Sequence, residues 1–184
     1  LYTFTTKFNL AMKRLLFLIG MLSALSMSAQ KSTVIVQTKD TAKLIFIDNS
    51  NRLKGGMENG KPIKIFVGRV RLHQGNVQFE CDSAVTDDYN NVKAYGNVLI
   101  RQADSVNVFS DSLLYDGNNR LAKLAGEVVL IDSSASLFTD VLDYNLNTKI
   151  AEYNTGGILQ NKETRLFSQI GYYYVEQSEA FFKN

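Results

Sequence analysis

The chain has 184 residues, with 20 Lys and Arg, 18 Asp and Glu, one cysteine and one histidine. Three of the basic residues, Lys7, Lys13 and Arg14, lie in the first 30 positions, which leaves 17 basic against 18 acidic residues in the rest. This balance excludes the net basic charge that nucleic-acid binding requires. A single cysteine excludes an internal disulfide, and no Cys-His cluster indicates a metal. We therefore expect no cofactor.

Residues 12–30 have the pattern of a secretory signal peptide. A positive start at Met12-Lys13-Arg14 precedes the apolar run Leu15–Leu25, and the small residues of Ser26–Gln30 follow. The run is shorter than the roughly 20 apolar residues of a membrane-spanning helix, and a retained anchor is the alternative. Residues 1–11 precede the candidate initiator Met12, and we expect them to be an upstream extension or a gene-model artefact.

Residues 31–66 alternate less regularly than the rest of the chain. Thr33–Gln37 and Lys43–Ile47 have the composition of strands, whereas Asn49–Gly60 contains two glycine-rich turn signals and is typical of a loop or a hairpin. We interpret 31–66 as an irregular N-terminal capping β unit.

From residue 67 to 184 a pattern returns every 29 residues. Its clearest column is Asp82, Asp111, Asp140 and Gln169; two others are Phe109, Phe138, Phe167 and Tyr115, Tyr144, Tyr173. A fixed period of this size indicates stacked repeats. Apolar and polar residues alternate within each unit, which predicts strands.

Strict alternation would place Val106, Val108 and Leu114 on one face of the second unit and Phe109 and Asp111 on the other. The final strand of the chain has no polar cap after it. We therefore expect the repeat domain to be truncated at its C-terminal end, or its last edge to be a docking surface.

The acidic column has a chemical and a structural interpretation. A ladder of carboxylates could bind Ca²⁺ or supply paired catalytic acids. Short acidic side chains also accept backbone hydrogen bonds at bends, and the same placement in every unit favours this structural role. His73 is expected on a strand surface, Cys81 as a buried thiol, and the chain is not expected to be an enzyme.

Two of the units resemble the OstA-like (LptA-like) family, the organic solvent tolerance proteins. This family includes the periplasmic lipopolysaccharide-transport bridge protein and the N-terminal domain of the outer-membrane lipopolysaccharide assembly protein. The resemblance extends from about Gly68 to the end, although Gln169 and Gly171 depart from the pattern in the fourth unit. It is carried by Gly96–Ile100 with Ser110-Asp111 and Tyr115-Asp116, and by Lys123–Val128 with Thr139-Asp140 and Tyr144-Asn145.

The resemblance implies an all-β, repeat-built, half-open β-jellyroll, in which V-shaped stacked antiparallel sheets hold lipid acyl chains along an apolar inner seam. It implies a periplasmic protein of a Gram-negative-type bacterium that binds lipopolysaccharide or a related lipid and passes it toward the outer membrane. Its partners would be proteins of like fold joined edge to edge, including an outer-membrane assembly protein. The predicted groove residues are Val77, Phe79, Val106, Val108, Leu114, Leu137, Val141, Leu166 and Ile170.

Two alternatives stay open at this point. The same apolar face would be plain core in a secreted structural or adhesive β-solenoid with a closed interior. A β-helical polysaccharide lyase would need acids clustered on one coil, and the spread of Asp across units argues against it.

Overall fold

The computed structural model describes residues 44–102 and 106–183. These residues form thirteen antiparallel strands and no helix, so the all-β prediction is confirmed. The signal peptide and upstream extension predicted within 1–30, and the strand predicted at Thr33–Gln37, lie outside the described residues. The strands are β1 (Phe46–Asn49), β2 (Arg52–Glu58), β3 (Lys61–Gln74), β4 (Val77–Asp87), β5 (Asn91–Gln102), β6 (Val106–Asp116), β7 (Leu121–Ile131), β8 (Ser136–Asn145), β9 (Ile150–Tyr153), β10 (Gly157–Gln160), β11 (Arg165–Ser168), β12 (Ile170–Tyr174) and β13 (Glu179–Lys183).

The strands belong to one sheet in which β3 to β9 follow each other in chain order. At one edge β1 and β2 both pair with β3; at the other, β10 joins β8 to β11, and β12 joins β9 to β13. The two edges do not pair with each other, and the sheet is open. The domain boundary predicted between residues 66 and 67 falls inside β3, which extends from Lys61 to Gln74.

Glycine bulges interrupt β3, β5 and β7 near their middles. In each, two residues oppose one on the neighbouring strand, and both have positive φ: 84° and 49° at Gly68-Arg69, 75° and 47° at Gly96-Asn97, 83° and 44° at Gly126-Glu127. Only glycine enters this left-handed region without steric cost, which accounts for the glycine at the first position of each bulge. A bulge bends its strand and sharpens the twist.

The bulges divide the sheet into two halves. We call the part whose inner face carries Leu72, Ile100 and Leu130 the Leu half, and the part whose inner face carries Tyr115, Tyr144 and Tyr173 the Tyr half. The buried side chains of both halves form one continuous hydrophobic cluster. The inner faces of the two halves therefore pack against each other, and the long strands cross from one half to the other at the bulges.

Crossing the bend changes which side chains face inward. On β6, Val106, Val108 and Ser110 are buried, but past Asp111 the buried residues are Leu113 and Tyr115. Strict alternation would have kept Leu114 inside; it is instead 51% exposed. The extra residue in the opposing bulge shifts the side-chain phase by one, and a one-residue shift moves every later side chain to the other face.

The fourth unit departs from the pattern because Tyr153 fills its bend. Where the earlier units have one long strand after β8's equivalent, this unit has two short ones, β9 and β10, which both pair with β8. The next long strand is likewise divided into β11 and β12. A Cβ at Gly157 would lie 2.5 Å from the Tyr153 ring, and one at Gly171 would meet its hydroxyl. The two glycines thus make room for this ring, whose hydroxyl hydrogen bonds to the Ser168 Oγ at 2.6 Å.

Candidate functional site

The inner face of the Leu half carries one unbroken row of apolar side chains. Residues directly opposite each other on paired strands share a face of the sheet, and the row crosses eight strands in register. Its first six members are buried, the seventh is half-buried on β10, and the last lies on edge strand β11 and is 45% exposed. The row is Leu72, Phe79, Ile100, Val108, Leu130, Leu137, Leu159 and Leu166.

The inner face of the Tyr half carries a row in which large and small residues alternate. It consists of Tyr115, Ala122, Tyr144, Ala151, Tyr173 and Ala180 in consecutive register. The three tyrosines, 29 residues apart, therefore occupy equivalent positions. Burial raises the pKa of the Tyr115 hydroxyl to about 12, and it raises those of Tyr144 and Tyr173 above their ordinary value.

Each tyrosine of this row reaches across to the opposite half and donates a hydrogen bond there. Tyr115 donates to Gln74 Oε1, Tyr144 to Gln102 Oε1 at 2.7 Å, and Tyr173 to Asp132 Oδ2 at 2.6 Å. We call this set of contacts the seam. It joins residues 41 or 42 positions apart, so each bond links one unit to the next.

Further bonds close the seam between turns at opposite ends of the strands. Gln74 Nε2 donates to the Gly117 carbonyl at 2.7 Å, and Gln102 Nε2 donates to the Leu146 carbonyl at 2.6 Å. The hydroxyls of Ser134 and Ser178 lie 2.7 Å apart. The two halves thus meet at the bend formed by the bulges and at a polar seam on the opposite side.

The structure divides the nine predicted groove residues between several environments. Val77, Phe79, Val106, Val108 and Leu137 are buried on the inner face of the Leu half, and Leu166 ends the row there. Val141 and Ile170 are half-buried near the bend, and Leu114 faces outward from the Tyr half. Whether any of them contacts lipid stays a prediction.

Leu114 lines a concave cleft on the outer face of the Tyr half. The cleft has a volume of about 1080 Å³ and also contains Ile63, Leu121, Ile150 and Tyr174. Two of its three lysines form ion pairs, Lys93 with Glu58 at 2.7 Å and Lys123 with Asp143 at 3.1 Å. The exposure of both pairs makes them weak contributors to stability.

The acidic column lies at the bulges. Asp82, Asp111 and Asp140 each oppose one bulge, and a Cβ at Gly96 would lie 2.5 Å from Asp82 Oδ2. Asp82 also accepts a hydrogen bond from Asn97 Nδ2 at 2.8 Å. Among the described residues no three His, Cys, Asp or Glu side chains cluster as metal ligands would.

The histidine and the cysteine lie where each has a structural partner. His73 Nδ1 is 2.7 Å from Asp48 Oδ1, and its ring stacks on Phe46 at a centroid distance of 5.2 Å. Cys81 is buried; burial, and then the neighbouring Asp82 carboxylate, raise the pKa of its thiol to about 11. The thiol is therefore neutral at physiological pH and a poor nucleophile.

The sequence interpretation missed the polar residues of the seam. Gln74, Gln102 and Asp132 are buried or half-buried at the ends of β3, β5 and β7. The available signal was a glutamine at the end of an apolar strand, since a buried amide requires hydrogen-bond partners. The tyrosine partners could not be inferred from it because they belong to the following unit.

These features define a class of protein: an open, antiparallel β-jellyroll whose apolar interior is closed along a polar seam. The chain belongs to the OstA-like protein family, whose model matches residues 42–184. Recognition of this family from the two units quoted above is thereby confirmed.

Structural comparison supports the same fold. The chain is similar to LptH of Pseudomonas aeruginosa, described as the LptA-homologous periplasmic component of the conserved lipopolysaccharide transport device. The TM-score is 0.52 at 13% sequence identity, over 61% of this chain and 82% of LptH. The predicted jellyroll is confirmed, and at this identity the likeness concerns the fold alone.

A search of curated proteins returned no match. Among the described residues, no helix is long and apolar enough to span a membrane.

Proposed function

We propose that this protein is a periplasmic carrier that shields the acyl chains of lipopolysaccharide, or of a related lipid, and passes them toward the outer membrane. The observation that carries the proposal is the inner row from Leu72 to Leu166. Eight strands at about 4.8 Å separation give it a length of roughly 34 Å. One leaflet of a bilayer's hydrocarbon core is roughly 15 Å thick, so the row can accommodate an acyl chain lying across the strands.

The mechanism we propose is passive and begins with opening of the seam. The inner row is filled by the protein's own side chains, since Ile100, Val108 and Leu130 have no exposed surface. A lipid chain can enter only if the two halves separate, and the bulges provide the hinge. Breaking the seam exposes Gln and Tyr groups that water or a lipid headgroup can then hydrogen bond, which lowers the cost of opening.

Transfer to a partner would use the edge at β11 and β13. Each of these strands pairs on one side only among the described residues, and an unpaired edge is a template for another strand. Leu166, the last member of the inner row, lies on β11. A protein of like fold that adds a strand there would extend the row, and an outer-membrane assembly protein is the partner we propose.

The lipid proposal can be tested by photo-crosslinking from two matched phenylalanines. Phe79 belongs to the inner row, whereas Phe109 lies on the outer face of the same half. Replacing each in turn by the photoreactive amino acid benzoylphenylalanine keeps an aromatic side chain. After illumination with purified lipopolysaccharide we expect a crosslink from position 79 and none from 109.

The tight packing of the interior favours the closed structural solenoid as the second candidate function. That candidate requires that position 79 gives no crosslink while the protein remains folded. Equal crosslinking from both positions would indicate non-specific adhesion of lipid and would contradict the carrier role as well.

The role of the seam can be tested with a reversible lock. The short Ser134–Ser178 contact makes the S134C/S178C pair suitable for a disulfide, whose Cβ atoms are roughly 4 Å apart. In a C81S background, the oxidised pair should lose uptake of fluorescent lipopolysaccharide, and reduction should restore it; each single cysteine variant is the control. Unchanged uptake by the oxidised form would rule out entry through the seam.

A further inference from the structure

The outer face of the Leu half carries an exposed apolar row, which we call the Phe stripe. Its residues lie opposite each other on six successive strands and face away from the interior. Phe109 and Phe138 are each 40% exposed and Phe167 is 70% exposed. The Phe stripe consists of Leu99, Phe109, Val129, Phe138, Ile158 and Phe167.

The Phe stripe is not accounted for by the fold or by the lipid proposal. Outer faces of antiparallel sheets are normally polar, and a contiguous exposed apolar patch marks an interaction site in a soluble protein. With strands about 4.8 Å apart, the stripe is roughly 24 Å long. At its far end, Phe138, Ile158 and Phe167 border a depression of about 530 Å³ above Gly156 and Gly157.

A row of carboxylates runs beside the stripe. Asp111 and Asp140 lie two positions along their strands from Phe109 and Phe138, on the same face and about 6.6 Å away. Asp82 and Glu127 continue the row on β4 and β7. Within residues 44–102 and 106–183, none of these four carboxylates forms an ion pair with a Lys or Arg.

The pairing of the strands and the charge beside the stripe limit which kind of partner could bind the Phe stripe. Strands β5 to β8 are paired on both sides, so a partner cannot add a strand there and must be recognised through side chains. A row of unpaired carboxylates repels an anionic lipid surface and attracts cations. The exposed phenylalanines favour a partner that also carries apolar side chains, placed beside its cations so that they pack on the aromatic rings.

We propose that the Phe stripe docks a segment of a partner protein that carries aliphatic side chains beside Lys or Arg. The phenylalanines and the three aspartates both recur on alternate strands, about 9.6 Å apart. Residues seven positions apart on a helix are separated by about 10.5 Å, so an amphipathic basic helix matches this repeat. This inference does not depend on lipid binding in the interior.

A synthetic amphipathic peptide of Leu and Lys, labelled with a fluorophore, serves as the probe. Binding to the full chain is followed by fluorescence anisotropy, with a Leu/Glu peptide and a Ser/Lys peptide as matched controls. We expect the Leu/Lys peptide to bind more tightly than either control, and its affinity to fall as salt is raised. Equal binding of either control peptide would overturn the proposal.

Variants then locate the binding site. Phe138→Ser should weaken binding roughly tenfold, as loss of an aromatic anchor does, whereas Leu121→Ser, exposed on the other half, should not. The pair D111N/D140N should weaken binding and flatten its salt dependence, with Asp88→Asn as the control. Thermal melts verify folding; affinity unchanged in Phe138→Ser would overturn the proposal.

Discussion

The geometry of the seam predicts how much the free energy of unfolding falls when one tyrosine hydroxyl is removed. Tyr144→Phe keeps the ring and creates no cavity, but it leaves Gln102 Oε1 without the hydroxyl that now lies 2.7 Å away. Both side chains are buried. Leaving a buried acceptor unsatisfied costs about 1–3 kcal/mol, so we expect the free energy of unfolding to fall by that amount.

Urea unfolding followed by circular dichroism measures this change. The control is Tyr172→Phe, which removes a hydroxyl from an exposed position and should change the free energy of unfolding by less than about 0.5 kcal/mol. Tyr115→Phe acts two strands away, so its effect should add to that of Tyr144→Phe. A loss in Tyr144→Phe no larger than in Tyr172→Phe would refute the view that the seam holds the halves together.

Three further predictions concern the interior and the bend. The pKa of Tyr115 is raised from its ordinary value of 10.0 to about 12; its contribution to stability is therefore complete below about pH 10 and is lost as pH rises toward 12, which a urea midpoint measured against pH will show. Cys81, whose thiol pKa is raised to about 11, should react with iodoacetamide at pH 8 only as fast as the protein unfolds; rapid alkylation of the native protein would contradict its burial. Gly126→Ala forces a Cβ into the Asp111 side chain at φ 83° and should destabilise by roughly 1–3 kcal/mol, whereas Gly55→Ala, where a Cβ meets nothing within 4 Å, should be close to neutral in the same thermal melt.

The sequence predicts the strands but not which side chains face inward beyond the bend. Local alternation is a short-range signal, and it locates β6. The phase shift that turns Leu114 outward and Leu113 inward depends on the residue count of the opposing strand. Any groove prediction made by extending alternation through Asp111 therefore mixes inner and outer residues.

The sequence likewise predicted only part of the candidate site: the repeated columns, but not the residues that pair with them. The tyrosine column was evident from its period, but its partners Gln74, Gln102 and Asp132 are spaced 28 and 30 residues apart and differ in type. The Phe column was also evident, yet only strand pairing shows that Leu99, Val129 and Ile158 fill the gaps between its members. The seam and the Phe stripe both depend on how neighbouring strands are aligned. The sequence of one strand alone does not specify that alignment.

The seam also imposes an order on synthesis. The hydrogen bond of Gln102 can form only after Tyr144, 42 residues later in the chain, has been synthesised. The seam contacts of each unit are therefore incomplete until the next unit has been made. A gene that gained or lost one whole unit would preserve every such contact, whereas half a unit would bring a tyrosine against the wrong neighbour; growth of such a protein in evolution is therefore expected to proceed by complete repeats.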